Sequence, residues 1–282
     1  MRKIFFCFFL FSICCFRAIA QSDSIAVKKY SLTSSTTSFA LSVVDLFDHY
    51  LSPLPYSGIG FRVSNEKNHL FDPAKVFLSD VRRFTMGLGM TVNPTATSSI
   101  MNYDFNYGWG VHYHFRPIEH LQLLAGGIAD VDFGFKMNAR NVNNPVNIDF
   151  AMGVYLSVRA IYDIPTYKRT YRLQAELETP FLGFMFVPQL GTSYYEMLML
   201  DGGGDSFHFS SLHNKRGLRQ RYFIEVPFRR STRRFGVAVN LLKYTANDIY
   251  FSKNEFTLFY ALTTDLFKFT KKKPAPENFI KY

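Results

Sequence analysis

The chain has 282 residues, 48% of them hydrophobic and 19% charged, with a mean hydropathy of −0.03 and a net charge of +10. That balance is too apolar and too weakly charged for a disordered chain, and beyond residue 20 no apolar run approaches the ~18–20 residues of a membrane helix. Three cysteines are too few for a disulfide scaffold, and 31 Phe and 17 Tyr against a single Trp mark one large aromatic-rich fold.

Residues 1–20 read as a secretory signal peptide: Arg2 and Lys3 start it, an apolar run follows from Ile4 to Phe16, and Ala18-Ile19-Ala20 offers a small-x-small cleavage site. All three cysteines, Cys7, Cys14 and Cys15, fall inside it, so the exported chain is expected to carry no thiol, hence no Cys-based metal site and no Cys nucleophile. Losing Arg2, Lys3 and Arg17 lowers the net charge from +10 to +7. In an exported chain that excess suits an anionic lipid surface better than nucleic acid. Residues 21–35 read as a flexible polar leader, residues 36–270 as one folded unit, and residues 271–282 as a basic, Pro-containing tail.

The folded unit alternates with a period of two. From Met101 to Phe115 every odd position is apolar or aromatic (Trp109 and Tyr107 among them), and the even positions are Asn102, Asp104, Asn106, Gly108, Gly110, His112 and His114. A helix cannot sustain that pattern over fifteen residues; a strand does so by geometry. The same alternation sets Phe150, Met152, Val154, Leu156, Val158, Ala160 and Tyr162 against Asp149, Gly153, Ser157, Arg159 and Asp163, and it recurs over 171–178, 219–226, 235–241 and 255–266. Strands this long exceed the ~5–6 residues of a soluble sandwich. They suit a membrane barrel, whose tilted strands need about 9–11 residues with apolar side chains outside. Short turns at 116–119, 164–167 and 228–233 alternate with longer links at 93–99, 138–147, 187–217 and 246–253. At roughly 20–25 residues per strand and link, the 262 residues after the signal peptide give about 10–12 strands in a single closed antiparallel barrel. Twelve requires a hairpin of 194–200 with 207–213 around Gly202-Gly203-Gly204.

Parity sends Arg62, Arg83, Asp104, Asp130, Asp132, Lys136, Arg159, Asp163, Arg172, Glu176, Glu178, Arg219, Arg221, Glu225, Glu255 and Asp265 inward. Charges of both signs confined in so narrow a lumen must pair, which predicts a polar, filled interior. A lumen position such as Ser157 is expected to tolerate arginine where the lipid-facing Val154 and Leu156 do not.

The stretches 51–62 (LSPLPYSGIGFR), 123–145, 181–198 and 209–220 (FSSLHNKRGLRQ) resemble an uncharacterised family of Gram-negative outer-membrane barrels of unknown function. The resemblance runs through most of the chain after the signal peptide. It implies an outer-membrane location and brings no activity, substrate or catalytic residue.

For chemistry, His208-Phe209-Ser210 and Ser211-Leu212-His213 each set an imidazole two residues from a hydroxyl, on one face of a strand. Nucleophilic catalysis needs that proximity and a third group to orient the base, for which Asn214 or Glu196 is available. The alternative is a polar cluster at the rim. Tyr194-Tyr195-Glu196 could meet a sugar or headgroup but also suits an interfacial aromatic belt. His112, His114 and His120 could face one another across a turn, yet without a neighbouring carboxylate at fixed spacing they read as polar filling, so no metal and no cofactor is expected. Arg229, Arg230, Arg233 and Arg234 read as a basic turn at a membrane rim. The expected function is thus an outer-membrane barrel without catalytic chemistry, in a structural role or as partner to another envelope component. Alternatives are a lipid-active esterase of phospholipase or lipid A deacylase type at 208–213, and a small-solute channel. The expected partners are outer-membrane lipid, lipopolysaccharide and, during biogenesis, the barrel-assembly machinery, with no nucleic acid.

Overall fold

The computed structural model describes residues 31–71, 77–142, 144–167, 169–199, 206–228 and 231–268. The expected signal peptide, residues 21–30 of the leader, the Gly202-Gly203-Gly204 turn, Arg229, Arg230 and the tail lie outside the described residues.

Alternating sequence becomes eleven strands: β1 (Ser31–Asp48), β2 (Tyr56–Leu70), β3 (Leu78–Val92), β4 (Ser99–Ile118), β5 (Leu121–Met137), β6 (Val146–Pro165), β7 (Thr170–Phe186), β8 (Phe207–Ser211), β9 (Lys215–Pro227), β10 (Thr232–Ala246) and β11 (Ile249–Lys268). Each pairs antiparallel with its neighbour, β6 pairs with β7, and β1 pairs with β11 from Ser31↔Lys268 to Asp48↔Phe251, so the sheet closes on itself. Closure matters because an open edge in lipid would leave backbone N–H and C=O groups without partners. β8 and β9 both run along β7 and share one place in the wall. Leu182 of β7 faces Ser211 and Glu178 faces Arg219, so four steps of β7 oppose eight of its partner. The surplus leaves the wall as a turn over 211–214, in which the Asn214 N–H donates to the Ser211 carbonyl at 3.1 Å. The barrel is therefore ten-stranded.

Of the hairpin that twelve strands require, the first half is instead a short helix, α1 (Tyr194–Met199), within the long connection after β7, and the second half is the strand β8, paired with β7. Ser193 and Glu196 form its capping box: the Glu196 carboxylate accepts from the Ser193 backbone N–H at 2.7 Å, and the Glu196 N–H donates to Ser193 Oγ at 3.2 Å. Three further expectations change. The first strand begins at Ser31 rather than beyond Ser35, because Ser34 and Thr36 still face inward and Thr36 Oγ1 meets Thr263 Oγ1 at 2.8 Å across the seam. The long link expected at 246–253 is a two-residue turn, Asn247-Asp248, both at positive φ as a tight primed hairpin requires. His120 is not on a strand but in the β4–β5 turn, at φ +67°.

One end of the barrel, the end that carries the termini, holds Ser31 and Lys268, where the described residues begin and end, and the turns after β2, β4, β6 and β9; the other carries the remaining loops, including the connection with α1. At this loop end Leu46, Tyr50, Leu51, Tyr56, Ile100, Met185, Val187, Ile249 and Phe251 pack into an apolar cluster that caps the lumen. Two tyrosines latch it: Tyr50 OH donates to the Thr192 carbonyl at 2.9 Å, and Tyr194 OH donates to Asn147 at 2.8 Å while accepting from the Ile148 N–H at 2.7 Å. Burial, with Asp48 and Glu196 nearby, pushes the Tyr50 hydroxyl pKa up to about 12, so it remains a donor. Outward faces carry long apolar stripes, with Phe39, Leu41, Ile59, Phe84, Trp109, Val154, Phe184 and Leu258 exposed.

Candidate functional site

Below the cap many inward positions are charged, and they meet across the lumen as well as along the wall. Glu66 of β2, 4% exposed, is the hub. Its carboxylate lies 3.1 Å from Arg83 of β3, 2.8 Å from Arg221 of β9, 3.6 Å from Arg234 of β10 and 3.8 Å from Arg159 of β6, and it accepts from Asn68 at 3.0 Å. Arg83 continues to Glu178 of β7 with two hydrogen bonds, at 2.7 and 3.2 Å, in the fork geometry that guanidinium and carboxylate share. Arg221 also pairs with Glu176, and Arg159 lies 3.6 Å from the same residue.

Arg219 of β9 reaches Asp130 and Asp132 of β5 at 3.0 and 3.1 Å, and its guanidinium lies 4.3 Å from the centre of the Tyr155 ring. Asn106 donates to both of those aspartates, at 2.9 and 2.8 Å, which holds two like charges side by side. Nearer the cap, Asp104 of β4 joins Arg62 at 3.0 Å and Lys253 of β11 at 2.7 Å, and Arg62 joins Glu255 at 2.6 Å. Lys136 of β5 bridges Asp48 at 2.6 Å and Asp149 at 2.8 Å. At the end that carries the termini, Arg172 pairs with Asp163 at 2.7 Å and Arg234 with Glu225 at 2.6 Å. A cavity of about 260 Å³ remains among these groups.

Of the inward charges read from parity, Arg62, Arg83, Asp104, Asp130, Asp132, Lys136, Arg159, Asp163, Arg172, Glu176, Glu178, Arg219, Arg221, Glu225 and Glu255 all take part in this network. Asp265 shares a register position with the inward Ser34, and its side chain lies outside the described residues. Parity also marks Glu66, four residues beyond Arg62, and Lys253, two before Glu255, which the sequence reading missed. Arg234, expected in a basic turn at a membrane rim, belongs to the lumen network instead. Because β10 already begins at Thr232, Arg234 stands opposite Glu225 and points inward, while Arg233 points out and stacks on Phe228 at 4.3 Å.

The His/Ser candidates divide between two faces. His208 and Ser210 face inward on β8, Ser210 is buried, and His208 Nε2 is buried with no hydrogen-bond partner among the described residues. Ser211 and His213 lie on the outer side, with Ser211 Oγ 2.6 Å from His213 Nδ1. Neither proposed orienter reaches that imidazole. The Asn214 side chain accepts from the Ser211 N–H at 3.0 Å and donates to the Phe209 carbonyl at 2.8 Å, closing the turn. The Glu196 carboxylate is held by Ser193, whose two donors lower its pKa. His112 and His114 each bond a serine inside the wall, Ser157 at 2.9 Å and Ser79 at 2.7 Å.

A family model described as "Protein of unknown function (DUF3316)" matches residues 3–273. No curated protein matches the sequence. Among solved structures, the transport unit of the autotransporter AIDA-I from Escherichia coli is 10% identical, with 91% of this chain and 97% of that chain covered and a TM-score of 0.45. For the outer membrane protease OmpT from Escherichia coli the values are 7%, 87%, 99% and 0.48. For the translocator domain of the autotransporter NalP from Neisseria meningitidis they are 6%, 85%, 90% and 0.35. Likeness at this level concerns barrel shape and carries nothing about activity.

Proposed function

The chain belongs to the DUF3316 family of proteins of unknown function, and we propose that it is a resident barrel of the outer membrane whose lumen is closed, serving a structural role or a partner in the envelope rather than the passage of solutes. The supporting observation is that the ion pairs run across the lumen: Arg83 to Glu178, Arg219 to Asp130, Arg221 to Glu66 and Lys253 to Asp104 each join strands that are not neighbours in the wall. Opening a path means separating buried charges, which costs several kcal/mol for each ion left without a partner. The apolar cap obstructs the loop end as well. In this reading residues 1–20 are removed on export, the outward face meets lipid and lipopolysaccharide, and the barrel-assembly machinery inserts the chain. Purified protein in planar bilayers is expected to show no steady conductance. A stable open channel would overturn the reading and restore the solute-channel alternative.

Ser211 and His213 favour a second reading, a lipid-active esterase, because the 2.6 Å pair stands on the outer side beside exposed Phe209 and Leu212, where an acyl ester could approach. Against it, no carboxylate or amide orients the imidazole among the described residues. Wild-type protein is expected to release no fatty acid from phospholipid or lipid A. Release that is abolished by Ser211→Ala in a folded barrel would establish the esterase instead.

A further inference from the structure

The outer wall is not apolar to the same height all round. On β4 the outward residues are apolar or aromatic from Met101 to Phe115, and on β6 from Ile148 to Tyr162. On β1 the outward apolar stripe is only Phe39, Leu41 and Val43, between Thr37 and Asp45; on β2 it is only Ile59, Phe61 and Val63, between Ser57 and Asn65. Five residues is about half of the 9–11 that a membrane-crossing strand needs. Toward the start of β1 and the end of β2, the outward positions of β1–β3 include Thr33, Ser35, Thr37, Asn65, Lys67, His69, Asp80 and Arg82, with the apolar Leu78 beyond them at the start of β3. This polar notch is bounded by Trp109, Val111 and Tyr113 of β4 on one side, and on the other it meets Leu262 and Thr264 of β11, the partners of Thr37 and Ser35.

Two cations stand together in the notch. Lys67 and Arg82 are direct register partners on the same outward face, and Arg82 is in turn the partner of Trp109. Like charges opposed in this way repel. The nearby carboxylate, Asp80, is already shared between His69 at 2.9 Å and the Nε of Arg82 at 3.0 Å. Lys67 is exposed and makes no ion pair or hydrogen bond among the described residues, and the terminal nitrogens of Arg82, whose side chain is 61% exposed, make none either. An ammonium and a guanidinium left open beside each other on a lipid-facing wall match a tetrahedral, singly charged oxyanion.

We propose that this notch binds the phosphodiester headgroup of a glycerophospholipid from the leaflet nearest the chain termini, drawing it toward the membrane interior between Lys67 and Arg82. The acyl chains then lie over the short apolar stripes of β1 and β2, and Trp109 flanks the headgroup. Placing the ligand in a leaflet rests on the membrane reading above. The charge complementarity favours a lipid phosphate over a second copy of the chain, which would bring the same two cations to the contact.

The test compares wild type with the double variant Lys67→Gln/Arg82→Gln, by native mass spectrometry from detergent titrated with phosphatidylglycerol or with diacylglycerol of the same chains. Wild type is expected to retain phosphatidylglycerol at least about ten-fold more tightly than diacylglycerol, and the double variant to lose that preference. Lys67→Arg/Arg82→Lys, which keeps both charges, is expected to restore it. Both changed side chains are outward, so heat-modifiable migration should report an intact barrel in each variant. Equal retention of the two lipids by wild type, an unaltered preference in the double variant, or a phosphate-independent dimer would overturn the site. A parallel flotation with vesicles separates the two failures: protein that floats without lipid preference refutes the site alone, and protein that does not float refutes the membrane reading and the site together.

Discussion

Removing the charge of Glu66 would leave Arg83, Arg159, Arg221 and Arg234 converging on a neutral group inside the barrel. Taking away one partner of a buried ion pair generally costs about 3–5 kcal/mol, because the surviving charge stays desolvated. Glu66→Gln, which keeps the side chain's size, is therefore expected to lower barrel stability by that order, read as a shift of the urea midpoint in detergent. Glu119, 89% exposed in a turn, serves as the control, and Glu119→Gln is expected to leave the midpoint in place. An unmoved midpoint for Glu66→Gln would mean that the arginines are held by Glu176, Glu178 and Glu225 without it. Most of this network was legible from parity alone, since one inward residue fixes every second one. Parity fails only where a strand's limits are wrong, and it was at such a limit that Arg234 was mistaken for part of a turn.

At the scale of elements, β6 carries both the success of alternation and its limit. Val154 and Leu156 point outward and are exposed, as the alternation predicts. Arginine at either is expected to cost about 2–4 kcal/mol near the bilayer midplane. Ser157, by contrast, is not a tolerant lumen position. It is 1% exposed and lies 2.9 Å from His112 Nε2, so an arginine there has neither space nor a free carboxylate. Ser157→Arg is now expected to destabilise at least as much as Val154→Arg, and urea midpoints of the two variants check the order. Alternation reveals which face is inner, but not how tightly the opposite wall approaches. The helix α1 illustrates the reverse case. Its apolar residues suited a strand hairpin, yet Ser193-x-x-Glu196 is a helix-start signature in the sequence itself. Once the capping box forms, Glu196 is engaged and cannot serve a histidine. The Asn247-Asp248 turn was equally open to reading, since Asn and Asp tolerate the left-handed conformation that both adopt.

For the whole molecule, the wall and the filling are one construction. Each chord across the lumen ties distant strands, and the apolar cap finishes at the loop end what the charges begin in the middle. The closing seam has a consequence in time. β1 and β11 are the first and last strands among the described residues, and eighteen register pairs join them, from Ser31↔Lys268 to Asp48↔Phe251. Contacts so remote in sequence are won late, because the whole intervening chain must be gathered before they can form. Until then Arg62 lacks Glu255 and Asp104 lacks Lys253, so a nascent barrel holds unpaired charges where the finished one holds ion pairs. Zipping the seam and pairing these charges therefore form a single late step. In reverse, the same step sets a high barrier to escape, so once assembled the barrel should owe its persistence to slow unfolding as much as to the depth of its energy minimum.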